Sequence, residues 1–185
     1  MTESRPWRVL REHLLLDRSP WLRVMEQDVV LPDGSTLTGF LLTEGRDYAM
    51  VFALTPEGRV PLVHQYKHGL RGAAYDLPAG YLDPGEAPLH CAQRELLEET
   101  GLAAAQWEAL ARPILDSNRG SNRAHLFLAR QARPAAAPQL EASEAGLAVE
   151  FFDLPRLLDL WQHDDTLGLA SAAAIGLALL RLGAL

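Results

Sequence analysis

The chain has 185 residues, enough for one domain with a substantial core and a small appended piece. Its 48% hydrophobic and 22% charged residues exclude global disorder, and a net charge of -7 excludes a general nucleic-acid binder, which gains affinity from excess positive charge. Cys91 is the single cysteine, which excludes an internal disulfide and a multi-cysteine zinc site.

In chain order, Leu14, Leu15 and Leu16 form too short an apolar run for a secretory signal, and Arg8 and Arg11 interrupt the approach. A cytoplasmic protein is expected. Residues 24–31 and 37–42 are apolar segments flanking the turn Pro32-Asp33-Gly34, which predicts an antiparallel hairpin. Residues 50–54 and 60–66 are strand-like and flank the turn Pro56-Glu57-Gly58. Residues 76–80 predict one short strand running into a loop. Residues 88–100 predict a helix, with Pro88 in the first turn and Gly101 as its stop. Residues 107–112 and 123–130 are further strands, joined by a segment with a polar loop at 118–122, and residues 133–138 read as a surface loop. A strand at 147–152 and helices at 155–160 and 167–182 complete the chain. The apolar run 167–180 is shorter than the roughly 18 to 20 residues a membrane span needs, so it is expected to be a helix packed on a sheet, with no membrane partner. Strands and helices mix without regular β-α-β alternation, which predicts an α/β (α+β) fold with a mixed sheet covered by helices.

The chemistry concentrates in residues 80–102, GYLDPGEAPLHCAQRELLEETGL. Glu95, Glu98 and Glu99 fall at i, i+3 and i+4 of the predicted helix and therefore share a face. Like charges so placed repel, and are tolerated if solvated or stabilised if a cation sits among their oxygens. Magnesium suits such a cluster, because it takes oxygen ligands and leaves positions for water and substrate phosphates. Leu89, Ala92 and Leu96 form an adjoining apolar stripe expected to anchor the helix. Glu86, ahead of the helix, is placed to pair with Arg94 and pin the loop between them.

This stretch resembles the Nudix box, G-x5-E-x7-R-E-U-x-E-E-x-G-U with U a bulky aliphatic residue. Gly80, Glu86, Arg94, Glu95, Leu96, Glu98, Glu99, Gly101 and Leu102 match every fixed position. A chance match at a given position has a probability on the order of 10^-9 to 10^-10 at average residue frequencies. The preceding Gln65-Tyr66-Lys67 and Leu77-Pro78-Ala79-Gly80 are similar to the ADP-ribose pyrophosphatase branch of that family, with Lys67 in place of the usual arginine and Asp76 in place of the usual glutamate.

The resemblance implies an α/β/α sandwich with a mixed sheet over residues 47–185, and a small N-terminal antiparallel β-subdomain over residues 1–46 that serves as a homodimer contact. It implies a magnesium-dependent hydrolase, with manganese as a substitute ion, acting on ADP-ribose or a related nucleoside-diphosphate sugar. Glu95 and Glu99 are then the principal metal ligands, with Glu98 supporting and the Ala79 carbonyl as a further ligand. Glu86 and Arg94 are a structural ion pair. Glu144 or Glu141, in a later loop, orients or deprotonates the attacking water. Lys67, Arg119, Arg123 and Trp21 are candidate substrate contacts. Asn118 stands near where ADP-ribose hydrolases of the family often carry a proline, which leaves GDP-mannose or a nucleoside triphosphate open as substrate. A non-catalytic ADP-ribose-sensing domain is a third reading, opposed by the intact glutamate set.

Overall fold

The computed structural model describes residues 6–120 and 122–184; residues 1–5, Leu185 and Ser121, the last within the expected polar loop, lie outside it. The chain divides into two compact units. The smaller comprises residues up to Arg46 together with Ile114–Arg123, and the larger Asp47–Pro113 and Ala124 onward.

The smaller unit is built on an antiparallel three-stranded sheet ordered β1 (Arg8–Arg18), β2 (Leu22–Val30), β3 (Thr36–Glu44). The β2–β3 hairpin closes through a turn in which Gly34 adopts φ 88°, a conformation that glycine reaches without a Cβ clash. This is the hairpin that the turn residues predict, whereas β1 carries no strand pattern in its sequence. Residues 8–18 show no two-residue alternation, and the register explains why. The β1–β2 pairing shifts between Val9 and Arg11 and again between Leu14 and Leu16. Each irregularity reverses which side chains share a face, so the pattern that marks a strand is erased. The remaining segment of this unit, residues 114–120, joins β3 through the amide of Thr43, which donates to the Arg119 carbonyl at 2.6 Å.

In the larger unit the central sheet is ordered β7 (Ala79–Tyr81), β4 (Tyr48–Leu54), β10 (Ala124–Arg130), β9 (Gln106–Ala111). The sheet is mixed: β10 runs parallel to β4 and antiparallel to β9. Both central strands are buried on both faces, which is why they read as continuous apolar runs rather than alternating ones. On one face Ala49, Val51 and Ala53 pack with Cys91, Ala92 and Leu96 of α1 (Pro88–Thr100), and with Leu102, Phe127 and Ala129. From the other face Met50 reaches Ser171 of α3 (Leu169–Leu182). Helix thus covers sheet on both sides. The apolar stripe expected on α1 needs one correction: Leu89 is 37% exposed, and the fully buried Cys91 occupies the core in its place.

A second antiparallel sheet is ordered β12 (Ala148–Phe152), β5 (Val60–Lys67), β6 (Gly72–Asp76), and a short ladder joins β8 (Leu102–Ala103) to β11 (Arg133–Pro134) within the stretch expected to be loop. α2 (Leu154–His163) is capped by the Asp153 side chain, which accepts from the Arg156 amide.

Residues 76–80, expected as one strand, are two strand ends with a crossing between sheets. Pro78 has no amide to extend a ladder. Leu77 is buried and donates its amide to Ser171 Oγ at 3.1 Å, and the Pro78 carbonyl accepts from Val51 at 2.9 Å. The backbone therefore leaves β6, is held at both ends of the Leu77-Pro78 step, and enters β7 beside β4. Ala79 and Gly80 thereby arrive next to α1. Among the described residues no helix is long and apolar enough to cross a membrane.

Candidate active site

α1 begins after Ala87, with Pro88 in the first turn where its missing amide costs nothing, and ends at Gly101, whose φ of 72° is left-handed. Its apolar side is locked into the core. Burial of that side carries two carboxylates with it: Glu95 is 7% and Glu99 5% exposed.

Oxygens of Glu95, Glu99 and Glu144 all lie within 4.8 Å of one another. The third comes from a one-turn 3-10 helix, Ala142–Glu144, preceding β12. Glu141 caps this turn: its amide donates to Glu144 Oε2 at 2.7 Å, and its own side chain returns the bond to the turn backbone. Of the two loop glutamates considered from sequence, the structure therefore brings Glu144 to the cluster and uses Glu141 to fix its backbone.

Each buried carboxylate has its own constraint. Glu99 Oε2 accepts the Ala79 amide at 2.9 Å. Glu95 lies against Gly80 so closely that a Cβ there would overlap its carboxylate, so only glycine leaves the carboxylate where it stands. Arg94 holds Glu95 from the other side. Its guanidinium donates from Nε and Nη2 to the two oxygens of Glu86 at 3.0 Å each, from Nη1 to Glu95 at 2.5 Å and Glu98 at 3.0 Å, and from Nη2 to the Tyr81 carbonyl at 3.2 Å. The Glu86 fork is bidentate, and Glu86 also accepts the Asp83 amide at 2.9 Å, which closes the loop ahead of the helix. Glu98 is the most exposed of the four box glutamates and faces Arg94, apart from the Glu95–Glu99–Glu144 cluster.

The electrostatics follow from one guanidinium serving three carboxylates. Hydrogen bonding to Arg94 pulls Glu86 down to about 2. Burial pushes Glu95 up to about 7, with Arg94 opposing and Glu98 and Glu144 adding to the rise. Burial raises Glu99 well above the ordinary carboxylate range, against the Ala79 amide and with help from Glu95 and Glu144. Buried oxygens, close together and reluctant to ionise without a counter-charge, fit a hard divalent cation. Cys91 beside them is no nucleophile: burial raises its thiol to about 12, and it donates to the Gly80 carbonyl at 3.3 Å.

The other sequence candidates lie as follows. Lys67 donates to Gln65 Oε1 at 3.1 Å and sits 3.9 Å from Asp76. Trp21, Arg119 and Arg123 belong to the smaller unit. There Arg46 lies over the Trp21 ring at 5.3 Å, Arg119 lies over Phe40 at 5.3 Å, and Arg123 bridges to Ile114. Sequence reasoning gave no role to Ser171 or Gln65. Ser171 also donates to Asp76, and with the Leu77 bond it sets the entry to β7. The available signal for Gln65 was its i, i+2 spacing from Lys67 on a strand, which puts both on one face.

The family model for the NUDIX domain matches residues 45–169, well over half of the chain. The chain belongs to the Nudix family. Among curated relatives, an ADP-ribose pyrophosphatase of Mycobacterium tuberculosis (strain ATCC 25618 / H37Rv) is 33% identical over 129 residues, covering 68% of this chain and 61% of that protein. A methanol dehydrogenase activator of Bacillus methanolicus is 32% identical over 109 residues, 59% of this chain and 58% of the relative. An ADP-ribose pyrophosphatase of Bacillus subtilis (strain 168) is 32% identical over 105 residues, 57% and 56%. The Nudix chain thus spans about six-tenths of the length of these relatives. A solved structure described as an ADP compounds hydrolase shares the fold, with a TM-score of 0.84 at 20% identity over 100% of this chain and 98% of that one.

Proposed function

We propose that this Nudix chain hydrolyses the diphosphate of ADP-ribose or a related nucleoside-diphosphate sugar, releasing a nucleoside monophosphate and a sugar phosphate. The observation that carries the reading is the convergence of Glu95, Glu99 and Glu144 oxygens within 4.8 Å, two of the three residues buried. The names of two relatives as ADP-ribose pyrophosphatases support the substrate class.

Glu95 and Glu99 would hold magnesium, or manganese in its place, with the Ala79 carbonyl as a further ligand and Glu98 supporting from the same helix. When bound, the cation supplies charge neutralisation at the diphosphate oxygens and a more acidic water. Glu144 keeps one oxygen on the Glu141 amide and presents its carboxylate to the cluster. It orients the attacking water and takes its proton as the oxygen bonds to phosphorus and the bridging P–O bond breaks. Arg94 and Glu86 touch no reacting atom; they hold the carboxylates in place. The functional species is a homodimer through the smaller unit, checked by light scattering at micromolar concentration.

The test is a substrate panel of ADP-ribose, GDP-mannose and nucleoside triphosphates with and without magnesium, repeated with Glu99→Gln. Magnesium-dependent turnover of ADP-ribose, lost in the variant while binding is retained, supports the reading. Full activity in Glu99→Gln removes that residue from the metal site, and binding of ADP-ribose without turnover by the unaltered protein makes the chain a sensor.

A further inference from the structure

The Glu144 turn is held to the sheet by a side chain outside the box. β12 pairs with β5 only as far as Ala148 opposite His64. At the next position of β5 the ladder has ended, and Gln65 continues the attachment with its side chain: Nε2 donates to the Ser143 carbonyl at 3.0 Å. Ser143 is the residue before Glu144. Among the described residues, this is the only side-chain hydrogen bond into residues 140–147 from outside that segment.

The orientation of the Gln65 amide is fixed by its other neighbour. Lys67 lies two residues along the strand, on the same face, and its ammonium contacts Gln65 Oε1 at 3.1 Å. An ammonium has donors only, so the amide oxygen must face Lys67 and the NH2 must face Ser143. Lys67 is steadied in turn by Asp76 at 3.9 Å, and Asp76 by Ser171 of α3. A chain of polar contacts therefore runs from the core-facing side of α3, along β5, to the backbone of the turn that carries Glu144.

We propose that Gln65 is a positioning residue that holds the Glu144 carboxylate against Glu95 and Glu99, with Lys67 setting the direction of its amide. The inference rests on the reading of Glu144 as the water-orienting group. It gives Lys67 a duty within the protein, ahead of any contact with substrate.

Two variants remove the donor differently. Gln65→Glu keeps an acceptor for Lys67 but turns a carboxylate oxygen towards the Ser143 carbonyl. Gln65→Met keeps the length, is neutral and donates nothing, and so separates loss of the bond from a new repulsion. The first readout is hydrogen–deuterium exchange of the full-length protein without metal or substrate. In both variants exchange across residues 140–147 rises by about tenfold or more, while that of α1 is unchanged. The second is kinetics with ADP-ribose and magnesium. kcat falls about tenfold or more with KM within about twofold, because a mispositioned group costs rate and not binding. The third is a double-mutant cycle with Glu144→Gln. A turn already detached has little left to lose, so the combined variant is about as active as Glu144→Gln alone, which itself loses about 10²–10⁴-fold.

Unchanged exchange in both variants overturns the proposal whatever the kinetics show. Raised exchange with multiplicative kinetic losses also overturns it, because Gln65 then acts elsewhere than through Glu144. If Glu144→Gln alone is fully active, the water-orienting role of Glu144 falls, while the exchange result still decides whether Gln65 holds the turn.

Discussion

Replacing Gly80 by alanine tests whether the position of the Glu95 carboxylate matters to within an ångström. An ideal Cβ on Gly80 overlaps that carboxylate, and even its farther oxygen lies at 2.5 Å. The nearer oxygen is closer still, and ordinary contact begins near 3.4 Å, so the carboxylate must retreat by well over 1 Å, where a misplacement of about 1 Å already costs about 10²-fold in rate. The backbone at Gly80 is not left-handed, so alanine introduces no conformational strain of its own. The group displaced is the end of a flexible side chain, so the fold absorbs the change at a cost of about 1 kcal/mol, roughly 2–4 °C in Tm for a chain of this size. Expected together are kcat for ADP-ribose lowered about 10²-fold, weaker magnesium dependence, and a Tm within a few degrees of the parent protein. Kinetics across a magnesium titration, with calorimetry on the same samples, read all three. Activity within twofold of the parent would refute the reasoning, because it would mean that the carboxylate can leave its seat without consequence.

Arg94→Ala strands Glu86, Glu95 and Glu98 together, and breaking a largely buried pair costs about 3 kcal/mol. Calorimetry should show a Tm lower by roughly 6–12 °C, with Arg94→Lys recovering less than half, because an ammonium cannot reproduce the fork to Glu86. For pH, Glu95 titrates at about 7 in the metal-free fold against an ordinary 4.5, so its raised value favours the fold at low pH and that contribution is lost as pH rises through 7. A divalent cation replaces the proton, so the Tm increment from saturating magnesium should be larger at pH 8 than at pH 6; equal increments would exclude Glu95 as a ligand. Cys91, buried and with its thiol raised to about 12, should resist aromatic disulfide reagents in the native protein and react fully in denaturant; rapid native labelling would contradict its burial.

The sequence exposed those parts of this molecule in which one local rule acts alone. α1 was visible because its proline start and glycine stop both fall inside the box, a single local stretch of chain, and β4 and β10 because double-sided burial leaves unbroken apolar runs. β1 was hidden because its register shifts twice against β2. The crossing at Leu77-Pro78 was hidden because its partners, Ser171 and Val51, are far away in the chain. The same division holds in the site. Glu95 and Glu99 could be placed on one face by helical spacing, but the distribution of their counter-charge could not. Arg94 is shared between Glu95 and the more exposed Glu98, while the buried Glu95 and Glu99 are joined by Glu144, more than forty residues later. Gln65 stands in a recognisable motif, but its hold on the Glu144 turn was hidden because its partner is a backbone carbonyl, which no side-chain pattern records.

The arrangement also explains why so acidic a helix folds at all. Cys91, Ala92 and Leu96 are fully buried against the central sheet, and that apolar contact carries Glu95 and Glu99 inward. Burying ionised carboxylates opposes folding, and one guanidinium offsets only part of the cost. Glu99 draws on a single backbone amide, and Glu144 is tied to its own turn. The metal-free fold is therefore left with carboxylates that favour a proton over a charge, a deficit confined to the place where a hard cation would be held. Such a site would bind a cation by relieving strain already present in the protein. Its affinity for the ion and the loss of stability with rising pH then have the same origin and must change together: Glu99→Gln should raise metal-free stability at pH 8 while abolishing the increment from magnesium. If the substitution instead lowered metal-free stability at that pH, the carboxylate would be serving the fold, and the case for a cation held there would lose its physical basis.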